Sequence, residues 1–321
     1  MAEIPTNISP TVQAIYDAYE SRRHSFRSHL GASLIGRECE RELWFAFRWC
    51  TVPRHSGRML RLFETGQREE ERFIENLRSV GIEVHDHDEE TGRQFRFTDF
   101  GGHFAGSIDG AALGIIEAPK TWHLLEFKTF NERRFELLKK HGVQITSPEH
   151  YAQVIIYMDY MGLQRAFYLA VNKNSDELYS ERIKADSQFA GLLKDKARRI
   201  IKSSRPPAKI SEDPAWWKCK CCDHHTVCHE SLPPEVNCRT CLHSTPIINN
   251  EGGWRCDKHS QRLSYKEQLR GCSDHLYIPD LLPGEVTDAG EDWVEYDFED
   301  GLIIRNGRGG LSSRKIRESG E

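Results

Sequence analysis

The chain has 321 residues, 38% of them hydrophobic and 29% charged, with a net charge of −5. That is an ordinary globular mixture, long enough for one sizeable domain and a smaller appendage. It argues against a membrane span, because the longest apolar runs, such as Val154 to Met158, are far too short. It also argues against binding of nucleic acid through bulk charge, so a DNA path would need local basic patches or bound cations.

In chain order, the polar start from Met1 to Pro10 shows no signal peptide, which predicts a cytoplasmic chain. Residues 11–50 read as helical, with Ser33 capping a segment in which Ile35, Cys39, Leu43 and Phe47 recur every four residues. A second helix is expected from about Arg58 to Val80, stopped by Gly81. Residues 83–130 are strand-like, with a turn at Asp109-Gly110 and a short apolar strand from Trp122 to Phe127. Asn131 caps a helix through Lys140, and Ser147-Pro148 opens another that Gly162 closes. A strand from Leu163 to Asn172 precedes a helix from about Ala185 to Lys202, with Phe189, Leu192, Leu193, Ile200 and Ile201 on its buried face. Arg205-Pro206-Pro207 ends it and begins a linker to the Cys-, His- and Trp-rich residues 216–279. The acidic stretch from Asp288 to Asp300 and the tail from Asn306 to Glu321 carry no legible chemistry. The order of elements predicts an α/β core with a mixed sheet and a Cys-rich module at its end.

Within Leu124-Leu125-Glu126-Phe127-Lys128, strand alternation puts Glu126 and Lys128 on one face, opposite Leu125 and Phe127. Upstream, Asp109 adds a carboxylate at a turn flanked by Gly110. Phosphodiester hydrolysis needs oxygen ligands for Mg²⁺, a polarised phosphoryl oxygen and an activated water, and two acids with one lysine supply those parts. Taken alone, a Glu-x-Lys on a strand is more often a solvated ion pair. Glu70 falls on the stripe of Phe63, Phe73, Ile74 and Leu77, where a carboxylate is costly unless a metal or other partner meets it. Glu69 and Glu71 fit that stripe less well, and Gly66 leaves space one turn earlier. The competing reading is a helix-surface glutamate. Gln153 and Tyr157 share a helix face and suit contacts to phosphate or a base edge, although a core tyrosine fits the pattern as well.

Gly66-x-x-x-Glu70, Asp109-Gly110, Glu126-Phe-Lys128 and Gln153-x-x-x-Tyr157 stand in the order and rough spacing of the RecB-like nucleases. About residues 30–230 therefore resemble that branch of the PD-(D/E)XK superfamily, which includes the CRISPR-associated iron–sulfur exonucleases. The resemblance implies a restriction-endonuclease-like core, a mixed central sheet flanked by helices. It implies that Asp109 and Glu126 bind Mg²⁺ or Mn²⁺, that Glu70 completes the metal site, and that Lys128 orients the attacking water. Gln153 and Tyr157 would contact DNA. Many relatives carry histidine at the Glu70 position, which leaves one ion or two open.

Eight of the ten cysteines lie between Cys219 and Cys272, a distribution that reads as metal or cluster ligation in a reducing compartment. The iron–sulfur members of the resembled group place one cysteine near the N-terminus and three at a spacing similar to Cys219-x-x-Cys222-x5-Cys228. Cys39, Cys219, Cys222 and Cys228 are thereby implied as ligands of a [4Fe–4S] cluster, with zinc as the alternative. Cys221 could replace a neighbour, and His224, His225 and His229 keep zinc open. Cys238-Arg-Thr-Cys241 with Cys256 and Cys272 reads as a structural zinc-ribbon-like module, with His243, His259 and His275 as spare donors and Cys50 as a core residue. The expected organisation is a nuclease core over 1–230, a zinc module over 231–285, and an acidic segment and tail over 286–321. The expected function is a metal-dependent DNA exonuclease in recombination, repair or end processing. Its layout resembles phage enzymes that act beside a strand-annealing protein. The alternatives are a structure-specific endonuclease and a non-catalytic DNA-binding scaffold.

Overall fold

A computed structural model of the chain describes residues 9–22, 26–52, 54–249, 252–298 and 301–320. The polar start up to Ile8, together with Asp300 and Glu321, lies outside the described residues. Helix α1 (Pro10–Glu20) begins with a side-chain cap from Ser9 and proline in the first turn. Residues 11–50 do not form the expected run of helix. A short strand, β1 (Leu30–Gly31), and a single 3-10 turn separate α1 from α2 (Glu40–Phe47). The four-residue recurrence from Ile35 to Phe47 continues across this break, because buried loop positions mimic a helical stripe. Cys39 is therefore the N-cap of α2 rather than a residue within a helix, and its Sγ accepts the Glu42 N–H.

Helix α3 (Gly57–Ser79) matches the expected segment, capped by the Ser56 side chain. Only the far part of its predicted stripe is buried: Phe73, Ile74 and Leu77 are covered, whereas Phe63 is 48% exposed. Strands β2 (Glu83–His85), β3 (Arg96–Asp99), β4 (Phe104–Ser107), β5 (Gly110–Leu113) and β6 (His123–Phe130) follow. Next come α4 (Glu132–Thr146), capped by Asn131, and α5 (Pro148–Met161), which Gly162 ends at φ 68 as expected of a glycine cap. Strands β7 (Arg165–Asn172) and β8 (Leu178–Lys184) precede α6 (Ser187–Lys202). In α6 the buried residues include Leu193, Ile200 and Ile201, while Leu192 is exposed, contrary to its expected place on the inner face.

The central sheet is mixed, in the order β2-β5-β6-β7-β8, with β6 parallel to β7 and every other pair antiparallel. Its two faces take opposite residues of the same strands. Leu125 and Phe127 join Phe167, Leu169 and Val171 in a cluster with Phe73, Ile74 and Leu77 of α3. Leu124, Phe130, Ala166, Tyr168 and Ala170 pack on the other side with residues of α5 and α6. A smaller sheet, β1-β4-β3, lies over α5, where Phe97 stacks on Tyr160 with centroids 3.9 Å apart. The core is thus a mixed α/β layer structure with helices on both sheet faces.

After α6 the chain forms α7 (Trp217–Lys220) and α8 (His225–His229), then the sheet β9 (Ser244–Pro246), β10 (Trp254–Cys256) and β11 (Gln261–Leu263), and α9 (Tyr265–Arg270). Two buried arginines seat this part on α2. The Arg239 guanidinium lies 3.6 Å from the Trp49 ring centroid and donates to the carbonyls of Phe47 and Ser28, while Arg48 donates to the carbonyls of Arg239 and Ser244. Residues beyond 283, which the sequence left unread, form an antiparallel sheet β12 (Glu285–Gly290), β13 (Trp293–Asp297) and β14 (Ile303–Gly307), followed by α10 (Ser313–Gly320). Val294, Tyr296 and Ile316 bury against Leu276, Tyr277 and Leu282, so this segment shares a core with the end of the Cys-rich part.

Candidate active site and cysteine groups

Glu126 lies at the centre of the middle strand with no exposed surface, and its Oε1 accepts a hydrogen bond from Lys128 Nζ. Its Oε2 is buried without any hydrogen-bond partner. Asp109 enters from the turn before β5, and the Phe127 N–H donates to its Oδ2 at 2.8 Å. That bond fastens the turn to β6. Glu70 faces the same group from α3. Of the three neighbouring acids it alone does so: Glu71 is exposed and Glu69 pairs with Arg72. A methyl group at Gly66 would meet nothing within 4 Å, so the space one turn before Glu70 is open.

Electrostatics follow from this crowding. Burial pushes Glu126 up to about 7 against the pull of Lys128, with Asp109 and Glu70 adding to the rise. Glu70 is raised to about 7 by burial and by Asp109. Asp109 is raised by burial, opposed by Lys128 and by the Phe127 amide. For Lys128 burial acts downward, but Glu126, Asp109 and Glu70 outweigh it and hold the ammonium above its ordinary range. With all three ionised, these carboxyls would leave an excess of negative charge around one lysine, and their oxygens are the donor type that a hard divalent cation takes.

Tyr157 and Gln153 are both buried in α5, one helical turn apart, and the Gln153 side chain acts on the Tyr157 hydroxyl. A Cβ on Gly106 would come within 2.5 Å of the Tyr157 ring, so that glycine makes room for the phenol under β4. Burial and the charges of Glu126 and Asp109 raise the Tyr157 hydroxyl. Two residues escaped the sequence reading. Tyr168 sits opposite Glu126 in the parallel register of β6 and β7, and its hydroxyl is 2.9 Å from His150 Nδ1. His150 lies on the same α5 face as Gln153 and Tyr157, and burial with Lys128 and Arg134 depresses it to about 3. Its helical spacing was a usable signal, whereas Tyr168 could be found only by knowing which strand pairs with β6.

Cys39, Cys219, Cys222 and Cys228 line one cavity of about 500 Å³, together with Cys221, Arg41 and His224. The thiols of Cys219, Cys222 and Cys228 are all raised, mainly by burial, and the charge of Cys39 acts on each. Cys221 faces solvent. Nearby, His224 Nδ1 lies 2.7 Å from Thr51 Oγ1, and His225 Nδ1 lies 2.9 Å from the Cys219 carbonyl, which occupies one nitrogen of each ring. Cys50 is fully buried in the main core. In the second group, Cys241 and Cys256 are buried, Cys238 is half-buried and Cys272 is exposed. Burial pushes Cys238 up to about 12, with Cys241, Cys272 and Cys256 adding to the rise. His275 uses both ring nitrogens, toward Thr240 and Ser313, and so is not a spare donor.

No protein family and no curated protein matches the chain. Solved structures similar to it include SSO0001, at 12% identity over 67% of this chain and 93% of that one, with a TM-score of 0.38. LHK-Exo in complex with dAMP is 16% identical, over 59% of this chain and 90% of that one, at a TM-score of 0.38. The alkaline exonuclease LHK-Exo from Laribacter hongkongensis is 15% identical, over 59% and 90%, at 0.36.

Proposed function

We propose that the chain is a metal-dependent deoxyribonuclease that hydrolyses phosphodiester bonds from DNA ends, with Asp109, Glu126 and Lys128 as its reacting centre and Glu70 completing the cation site. The observation that carries this reading is the buried, unpartnered Oε2 of Glu126, set beside Asp109 and Lys128 in the middle of the sheet. Bound Mg²⁺ or Mn²⁺ would polarise the phosphoryl oxygen and lower the pKa of a water. Asp109 and Glu126 would hold the ion, and Lys128, kept protonated by its acidic neighbours, would orient the attacking water. Gln153 and Tyr157 would keep the DNA in register. Cys39, Cys219, Cys222 and Cys228 would hold a [4Fe–4S] cluster, and Cys238, Cys241, Cys256 and Cys272 a structural zinc in a module over 231–285. The test is incubation with end-labelled linear and closed circular DNA in Mg²⁺ or Mn²⁺. End-dependent digestion is expected; cutting of circles makes the enzyme an endonuclease, and binding without digestion makes it a scaffold.

A pH dependence follows from the raised acids. Below about 7 Glu126 and Glu70 carry protons that a cation must displace, so ion binding tightens as pH rises through that value and then levels off. Mn²⁺ titrated into the full chain should bind at least about tenfold more weakly at pH 6 than at pH 8. Equal affinity at both would remove the raised carboxyls from the ion site.

Gln153→Ala and Tyr157→Phe should lower cleavage by about tenfold, well short of loss of a reacting group, since alignment is a partial contribution. Either variant being as inactive as Lys128→Ala at saturating DNA would show that these side chains do more than hold the substrate.

A further inference from the structure

His259 lies in the turn between β10 and β11, and Cys272 and Asp274 lie in the loop after α9, where Gly271 turns the chain at φ 61. The two loops converge so that a ring nitrogen of His259, the Sγ of Cys272 and a carboxylate oxygen of Asp274 all lie within 4.8 Å of one another. His259 Nε2 is 3.2 Å from Asp274 Oδ2. Donors around a tetrahedral zinc stand on the order of 3.5 Å apart, so side-chain adjustment alone brings this set to bonding distance. A thiolate, an imidazole and a carboxylate select a borderline ion such as Zn²⁺ over Mg²⁺, which takes oxygen donors.

We propose that His259, Cys272 and Asp274 form a separate, exchangeable site for a zinc-class ion. It differs from the enclosed cysteines in being open to solvent: the His259 and Asp274 side chains are 39% and 42% exposed, and Cys272 is exposed as well. Three protein donors at a surface leave a fourth position for water or for a donor from a binding partner, unlike a structural centre closed by four side chains. Filling the site clips the β10–β11 turn to the loop after α9. The charge of Cys272 also acts on Cys238 and Cys241, and Cys272 is one of the four thiols proposed for the structural zinc, so with both centres occupied its thiolate is shared between them. The site stands on its own three donors and does not require zinc at the other cysteines.

The test uses the full chain, purified with zinc, dialysed against a weak chelator and titrated with cadmium. Uptake is read by metal analysis and by cadmium NMR, whose shift follows the number of thiolate ligands. With excess Mg²⁺ present to occupy the carboxylate site of Asp109 and Glu126, the wild type should take up about one exchangeable cadmium ion per chain, with a resonance well upfield of a tetrathiolate centre. His259→Ala and Asp274→Ala should each weaken that uptake by about tenfold or more and leave the ion that survives dialysis in place. Exchangeable uptake by the wild type that both variants lose, in a chain where no ion survives dialysis, removes the enclosed zinc and upholds this site. Uptake unchanged in both variants, or no exchangeable ion in the wild type, overturns it.

Discussion

Asp109→Ala, Glu126→Ala and Lys128→Ala are each expected to lower DNA cleavage by about 10³-fold or more, to the limit of detection. In the proposed mechanism the three act on one ion and one water, so removal of any member would disable the unit rather than subtract a share of it. Their connections in the fold make the losses distinguishable. Asp109 is tied to β6 through the Phe127 N–H, so its loss frees the turn before β5 as well as a cation ligand. Glu126 has no exposed surface, and its removal leaves Lys128 without the carboxylate it donates to. Glu126→Gln keeps the shape and one acceptor while removing the charge, and it separates lost chemistry from lost packing. The measurement is release of label from end-labelled duplex and single-stranded DNA in saturating Mg²⁺, beside a thermal melt of each variant. Wild-type-like turnover in any of the alanine variants would remove that residue from the reacting centre.

The parts of this site that could be read from the sequence are those set by local rules. Strand alternation over 124–128 placed Glu126 with Lys128, and the caps at Asn131 and Gly162 fixed the helices on either side of the α4–α5 turn. Glu70 emerged from a helical stripe even though one member of that stripe, Phe63, faces solvent. Where pattern and position part, tertiary structure decides. β8 was missed because an edge strand alternates exposed and half-buried positions with no continuous apolar run, and its one buried residue is Ile183. The sheet over 285–307 was missed for the related reason that β12 is exposed throughout and only Val294 and Tyr296 of β13 are inward. Tyr168 reaches Glu126 through strand register, a long-range fact that no local window contains.

Cys39→Ala should abolish the proposed iron–sulfur cluster and, with it, much of the thermal stability. Cys39 caps α2 in the first part of the core, while Cys219, Cys222 and Cys228 come from α7, the turn after it and α8, yet all four line the same cavity. Polar contacts already bring these segments together: Lys218 pairs with Glu38 at 2.5 Å and Arg41 donates to the Pro207 carbonyl. Such exposed and half-exposed pairs contribute little, so they position the thiols without locking them. A cluster held by all four closes a loop of about 180 residues, and by analogy with a disulfide of that span it restricts the unfolded chain by about 5 kcal/mol. Anaerobically purified wild type should be brown, with broad visible absorbance and iron and sulfide in equal amounts. Cys39→Ala should lose the colour, the iron and several kcal/mol in a denaturant melt. Cys50→Ala should keep the colour, since that thiol is sealed in the core. Cys221→Ala should keep it too, because Cys221 faces solvent. An anaerobic wild type that is colourless and carries zinc in place of iron would assign the cavity to zinc, and a coloured Cys39→Ala protein would remove Cys39 from the ligand set.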